Sequence, residues 1–292
     1  MKQLLILSGK GGTGKTTVAG AFIHLSQAKA YADCDVDAPN LHLISHWSRL
    51  PERADYVGMP KAKINIGRCV GCGKCQEHCR FDAITSEPFV HIDPFACEGC
   101  GVCAAICPAD AVSMEPAKVG ELALYRDKNR VFSTARLSTG SGTSGKLVTE
   151  VKKRMVSAAE DAELAVIDGS PGIGCPVIAS ISGVDMVLIV AEPSLSGISD
   201  MERMVRTAEW FHTKTAVCVN KSDTNSAKSK EIQAFCQAKR IPFAGIIPFD
   251  PEAVKAINSG KSIAEVACPA GSAVRDVYRD TIALLFEKGE KP

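Results

Sequence analysis

Four apolar residues, Leu4-Leu5-Ile6-Leu7, run through Ser8 into Gly9-Lys10-Gly11-Gly12-Thr13-Gly14-Lys15-Thr16. The octad satisfies G-x-x-x-x-G-K-[ST], and it stands between a buried-strand pattern and residues 15–28, whose apolar positions recur at helical spacing. Glycines in such a loop let backbone N–H groups turn inward around phosphate oxygens, and the helix opening behind it adds a favourable dipole. Lys15 is then placed to reach the β- and γ-phosphates of a nucleotide, and Thr16 to ligate Mg²⁺. A strand that feeds such a loop and helix belongs in an open parallel sheet, so strands and helices should alternate along the chain.

Most of the chain follows that rhythm. Tyr31-Ala32-Asp33, Leu164 to Ile167, Met186 to Val190, Thr215 to Val219 and Phe243 to Ile247 read as strands. Residues 147–160, 197–212, 227–239, 251–259 and 271–286 read as helices. The fold class implied is α/β, a mostly parallel sheet with helices on both faces, built from residues 1–60 and 116–292. Residues 61–115 break the pattern: they are studded with Cys, carry Gly and Pro at close intervals, and hold little material for an apolar core. They read as a small inserted α+β module. Residues 116–145 read as a transition that ends in a Gly/Ser/Thr-rich loop. Within it Gly140 to Lys146 imitates the phosphate octad, but no apolar strand precedes it and Leu147 follows it, so it reads as a loop before a helix.

The chain has 13 Cys. The apolar run near the N-terminus is shorter than that of a signal peptide, and no stretch approaches the roughly 18 apolar residues of a spanning helix. The expectation is a cytoplasmic protein without a membrane anchor, in which so many cysteines serve metal rather than disulfides. A formal net charge of +1 argues against a chain built to hold nucleic acid.

Eight of the cysteines fall into two equal runs. Cys69, Cys72, Cys75 and Cys79 form C-x₂-C-x₂-C-x₃-C; Cys97, Cys100, Cys103 and Cys107 repeat it, with Pro108 after the last. This is the run of bacterial ferredoxins with two [4Fe–4S] clusters, in which the fourth cysteine of each run ligates the other cluster. On that pattern one cluster takes Cys69, Cys72, Cys75 and Cys107, and the other takes Cys97, Cys100, Cys103 and Cys79. Zinc fits less well, since it needs only four thiolates per site and usually longer gaps between pairs. Arg80 stands where the ferredoxin pattern often has proline. His78 and His91 read as surface or packing residues. Cys34, Cys175, Cys218, Cys236 and Cys268 form no C-x-x-C pair, and Cys218 reads as a small buried apolar residue.

The form K-G-G-x-G-K-T resembles the deviant Walker A motif of the MinD/ParA/Mrp family. The resemblance covers most of the chain outside the insertion. It implies that Lys10 reaches a partner's nucleotide across an ATP-sandwich homodimer, or a heterodimer with a related ATPase. Asp33-Cys34-Asp35, with Asn40-Leu41 after it, resembles the family's switch I: Asp33 near the Mg²⁺ shell, Asp35 orienting the attacking water. Val166-Ile167-Asp168-Gly169-Ser170-Pro171-Gly172 resembles Walker B and switch II, with Asp168 holding Mg²⁺ through water and the Gly172 N–H near the γ-phosphate. Asn220 is placed like the family's adenine-reading asparagine. Asn220-Lys221-Ser222-Asp223 also has the N-K-x-D form of guanine-binding proteins, so ATP and GTP both stay open, the family context pointing to ATP. The resemblance thus gives Lys10, Lys15 and Asp35 as catalytic, and Gly11, Gly12, Thr13, Gly14, Lys15, Thr16, Thr17, Gly172 and Asn220 as nucleotide-binding.

The whole resembles MinD-superfamily ATPases with an inserted ferredoxin domain. It implies a slow MgATP-dependent ATPase that couples nucleotide turnover to electron transfer through two [4Fe–4S] clusters, with a redox or iron–sulfur client protein as partner. The alternatives are an iron–sulfur carrier ATPase of the Mrp type and a positioning ATPase of the MinD/ParA type. The Mrp branch uses a C-x-x-C pair that this chain lacks outside the insertion. The MinD form ends in a basic amphipathic helix, for which Leu284 to Gly289 gives no basic face.

Overall fold

The computed structural model describes residues 1–287 apart from positions 46, 128, 139 and 143. Its first half runs β1 (Lys2–Leu7), α1 (Lys15–Ser26), β2 (Ala30–Asp33), β3 (Glu52–Val57), β4 (Lys61–Ile64), α2 (Lys74–Glu77), β5 (Ile84–Thr85), β6 (His91–Ile92), α3 (Val102–Ala105), β7 (Val112–Glu115), β8 (Lys118–Arg126) and β9 (Val131–Leu137). There follow α4 (Ser144–Ala158), β10 (Leu164–Asp168), α5 (Cys175–Ile181), β11 (Met186–Ala191), α6 (Leu195–Trp210), β12 (Lys214–Asn220), α7 (Ser226–Lys239), β13 (Phe243–Ile247), α8 (Pro251–Asn258) and α9 (Pro269–Phe286). Two compact units divide the chain. The first holds Met1–Arg53, Ala123–Ala135 and Gly145–Pro292; the second holds Ala54–Leu122 and Arg136–Ser144.

Nine strands form one sheet in the order β13-β12-β11-β1-β10-β2-β9-β8-β3. Every neighbouring pair from β13 to β9 is parallel. The fold class is therefore α/β with a mostly parallel central sheet. β11 is apolar and buried throughout, as are Leu4–Leu7 of β1 and residues 165–167 of β10, as a sheet covered on both faces requires. On one face α1 and α9 pack into a core containing Phe22, Val274, Val277 and Leu285, with Tyr278 edge-on to Phe22 at 5.2 Å. The last helix is thus a core helix. Lys288 and Gly289 lie outside the described residues. No described helix is long and apolar enough to cross a membrane.

The transition assigned to residues 116–145 is corrected: β8 and β9 are long sheet strands there, with Val119, Leu122, Phe132 and Ala135 buried. Buried Ser133 and Thr134 and the flanking charges break the apolar run by which the inner strands were recognised. The sequence reading also missed β3, in which exposed and half-buried residues mix, and the short helix α5.

Helix α4 grips α5 at both ends. Near its start Gly145 packs close to α5, since a Cβ there would stand 3.3 Å from the Cys175 carbonyl oxygen, a tight contact. Further along, Lys152 Nζ donates to the carbonyl oxygens of Ser180 and Ser182, both at 2.6 Å, and of Ala179 at 3.3 Å. These carbonyls lie at the α5 C-terminus, where a cation is favoured. Burial lowers the Lys152 pKa, opposed by the nearby Cys34 thiol.

In the second unit β4 pairs antiparallel with β7, and β5 with β6. The one-turn helices α2 and α3 each follow a glycine in the left-handed region, Gly73 at φ 72° and Gly101 at φ 77°. Its small core is Ala62, Ala83, Ile84, Ile92, Cys97 and Val112, against which Cys75, Cys79, Cys103 and Cys107 pack.

Candidate nucleotide site and cysteine-rich unit

Parallel register brings the motif residues together. Ile6 stands opposite Asp168, and Asp168 opposite Asp33, so both carboxylates emerge where β1 hands over to the glycine loop. Lys15 begins α1 behind Gly14, whose φ of 92° and ψ of 15° suit glycine. Lys15 Nζ donates to Asp168 Oδ1 at 2.5 Å, and Thr16 Oγ1 donates to Asp168 Oδ2 at 2.7 Å. Lys15, Asp33 and Asp168 are all buried. Burial alone would lower the Lys15 pKa. The charge and hydrogen bond of Asp168, with the charges of Asp33 and Asp35, outweigh it and hold the ammonium above its ordinary value.

Asp33 organises the turn after β2. Its Oδ2 accepts from the backbone N–H groups of Asn40 and Leu41, each at 2.9 Å, and its Oδ1 from that of Asp35 at 3.0 Å. Burial and the Asp168 charge push its pKa up to about 7, against the N–H donors of Leu41 and Asp35 and the Lys15 charge. A carboxyl that binds its proton more tightly folded than unfolded makes stability fall as pH rises between the two values. From about pH 4 to about pH 7, Asp33 should therefore make the fold less stable as pH rises. Urea titrations across that range should show a steeper fall in the native chain than in Asp33→Ala. Equal slopes in the two would refute it. Asp35 is also raised, by burial first; Lys15 opposes the shift, while Asp168 and Asp37 add to it. Its Oδ1 accepts the Ala38 N–H at 3.4 Å.

The end of β12 closes the other side. Asn220 Nδ2 donates to the Thr13 carbonyl oxygen at 2.7 Å, and Lys221 Nζ to that of Gly12 at 2.8 Å. A cavity of about 240 Å³ opens beside them, lined by Gly12, Gly14, Thr17 and Asn220 on one side and by apolar groups such as Ile247, Phe249 and Val254 on the other. Asp223 does not line it: its Oδ1 accepts the Phe249 N–H at 2.7 Å. Lys10 Nζ lies 3.1 Å from Glu192 Oε2 and 3.4 Å from Ser196 Oγ of its own chain. The Gly172 N–H donates to the Ser8 carbonyl at 3.0 Å, linking the Ser170–Gly174 loop to the glycine loop. Gly11 has open space where a Cβ would stand. Sequence reasoning did not find Glu192 or Lys152, charged residues without a motif, and it named Lys221 only as part of the N-K-x-D form; only the fold shows what each of them meets.

In the second unit the cysteines within each run lie near one another. Burial first, and then the neighbouring Cys69 and Cys72, raise the Cys75 pKa; burial first, and then Cys97 and Cys100, raise that of Cys103. One pocket is lined by Cys97, Cys100 and Cys103 of the second run together with Cys79 of the first. Cys107 Sγ accepts the Ala111 N–H at 3.3 Å. Among the described residues no three of His, Cys, Asp and Glu converge as they would around a single metal ion.

The family model for the CobQ/CobB/MinD/ParA nucleotide-binding domain matches residues 4–263. An uncharacterized protein of Methanocaldococcus jannaschii is 31% identical over 284 residues, covering 94% of this chain and 95% of its own. The septum site-determining protein MinD of Bacillus subtilis is 26% identical over 275 residues, covering 90% and 82%. Among solved structures, Pyrococcus horikoshii MinD complexed with Mg-ADP superposes with a TM-score of 0.58 at 16% identity, covering 99% of each chain. Given its phosphate loop, its sheet and a match over nearly its whole length, the chain belongs to the CobQ/CobB/MinD/ParA family of nucleotide-binding proteins.

Proposed function

We propose that the chain is a MgATP-dependent ATPase switch of the MinD/ParA type. The observation that carries this is the buried Lys15–Asp168–Thr16 cluster with Asp33 beside it at the mouth of the glycine loop. The sequence reading put electron coupling first. The relatives favour the positioning-type ATPase instead, because those with a named role include septum site-determining MinD proteins and a plasmid partition protein. In this reading Lys15 exchanges Asp168 for phosphate oxygens, and Asp168, Thr16 and Asp33 supply oxygens around Mg²⁺, whose charge offsets that of the phosphates. Asp35 orients the attacking water. Lys10 leaves Glu192 to meet the nucleotide of a second subunit. Asn220 reads adenine, since Asp223, the guanine reader of the N-K-x-D form, is engaged by Phe249. Asp35→Ala should bind ATP with unchanged affinity and hydrolyse it about a hundredfold more slowly. Parallel loss of affinity and turnover would remove Asp35 from water positioning.

A second reading concerns the cysteine-rich unit: it holds two [4Fe–4S] clusters. The pocket that joins Cys79 to Cys97, Cys100 and Cys103 supports it, because cross-ligation asks for that grouping. Convergence on a single ion is not required, since each thiolate binds its own iron at a separate corner of the cube. The clusters would supply one-electron chemistry. Protein made without oxygen should contain about eight irons per chain. Cys72→Ser and Cys107→Ser should damage the same cluster and leave about four. Zinc alone, or pairing of Cys107 with Cys97 in the iron loss, would defeat this reading.

A further inference from the structure

The two cysteine runs share one spacing and differ in charge. Placed in register, Arg68, Lys74 and Arg80 of the first run fall opposite Ala96, Val102 and Pro108 of the second. The first run carries these three basic residues against Glu77 alone, while Glu98 is the only charged residue between Cys97 and Cys107. The runs also differ in setting. In the second, Cys97 and Gly99 are buried, and a Cβ on Gly99 would stand 2.2 Å from the Pro60 carbonyl oxygen. Lys61 Nζ donates to the Cys97 carbonyl. In the first, Arg68, Val70, Gly71, Cys72 and Lys74 are all exposed, Val70 at 69%, and nothing lies within 4 Å of where a Cβ on Gly71 would be. No described carboxylate forms an ion pair with Arg68, Lys74 or Arg80. Of the unit's other basic surface residues, Lys63 and Lys118 are already paired with Glu115 at 3.2 Å and Asp55 at 2.5 Å, and exposed Arg136 lies outside both runs.

We propose that the loop Arg68–Lys74, with Arg80, is the docking face for an acidic one-electron carrier protein, and that the metal centre of Cys69, Cys72, Cys75 and Cys107 is the one that exchanges electrons with it. This rests on the two-cluster reading. Uncompensated charge beside an exposed apolar residue and a thin glycine-bearing loop suits a partner that must come close, orient and leave, because opposite charge steers the encounter more than it tightens it. In the step one electron leaves the reduced carrier, which is thereby oxidised, and one is taken up at the centre held by those four cysteines. No bond to the carrier forms. The second run, anchored in its own unit by buried Cys97 and Gly99, serves as the inner centre.

The probe is an acidic flavodoxin in its two-electron-reduced form, which gives up one electron to become the semiquinone. It is mixed with the full chain loaded with iron without oxygen. At low ionic strength, reversing Arg68, Lys74 and Arg80 to Glu should slow the second-order reduction at least tenfold and weaken the binding of oxidised flavodoxin at least tenfold. Added salt should remove most of that difference. Reduction by dithionite should be unchanged, and so should flavodoxin reduction of a Lys63→Glu, Lys118→Glu control. If the triple reversal does not take up iron, changing the same three residues to Gln repeats the test. A full complement of iron with flavodoxin rates equal in the triple variant and the native chain, or an equal loss in the control, would overturn the docking face while leaving the clusters in place. Absence of iron from the native chain would overturn the cluster reading and the proposal with it.

Discussion

Lys15→Ala should abolish nucleotide binding and also weaken the ligand-free fold. Lys15 is the buried cation facing Asp168 and Asp33. Its loss leaves those carboxylates buried without a counter-charge, a change that costs about 3–5 kcal/mol where a buried pair is broken. The carboxylates can escape part of that cost by taking up a proton, so the variant should regain stability as pH falls toward 5. Two measurements check this. Calorimetric titration with MgATP should show no binding heat up to millimolar ligand, and urea unfolding should show the midpoint shifted well down at pH 8 and less at pH 5. A variant as stable as the native chain at pH 8 would mean that Asp168 and Asp33 do not depend on Lys15 for charge balance.

Gly14→Val is the second large effect, and it acts through shape. Gly14 adopts a left-handed conformation, where a β-branched residue is strained by about 1–2 kcal/mol. A Cβ at that position would also stand 2.1 Å from Asn220 Nδ2. Asn220 must then give up its hydrogen bond to the Thr13 carbonyl, worth about 1 kcal/mol. Stability should fall by roughly 2–3 kcal/mol. ATP affinity should fall by about a hundredfold or more, because loop and base-side residue move together. Asn220→Ala separates the two causes: it loses the hydrogen bond without the backbone strain and should sit between Gly14→Val and the native chain in both measurements. Gly14→Val with native ATP affinity would show that the loop tolerates a side chain there.

The phosphate loop and the two aspartates were legible because each ends an apolar strand buried on both faces. Strand, turn and helix signals agree at those points, and parallel register does the rest. Strands β3, β8 and β9 were not legible. Residues such as Glu52, Arg53 and Asp55 in β3, or Ser133, Thr134 and Arg136 in β9, carry no alternation that survives the polar substitutions. Lys152 falls in the helix read over residues 147–160 with no motif to mark it; only the placement of α5 reveals the carbonyl oxygens that claim it. The site was legible as a set of residues and not as a network. Lys10 was read as a residue that reaches a second subunit, and in this chain alone it rests on Glu192.

The strand order has a consequence for synthesis. In the sheet β1 lies between β10 and β11, yet both are encoded after the whole of the second unit. The fully apolar Leu4–Leu7 therefore leaves the ribosome with neither of its neighbours. At the usual elongation rate roughly 8–32 s pass before Asp168 completes β10. During that interval the cysteine-rich unit is complete and free to fold, while β1 waits with both hydrogen-bonding edges open, the condition in which strands join the wrong chain. Slow elongation lengthens that exposure, so nascent-chain aggregation should rise under rare-codon expression and trace to the first seven residues.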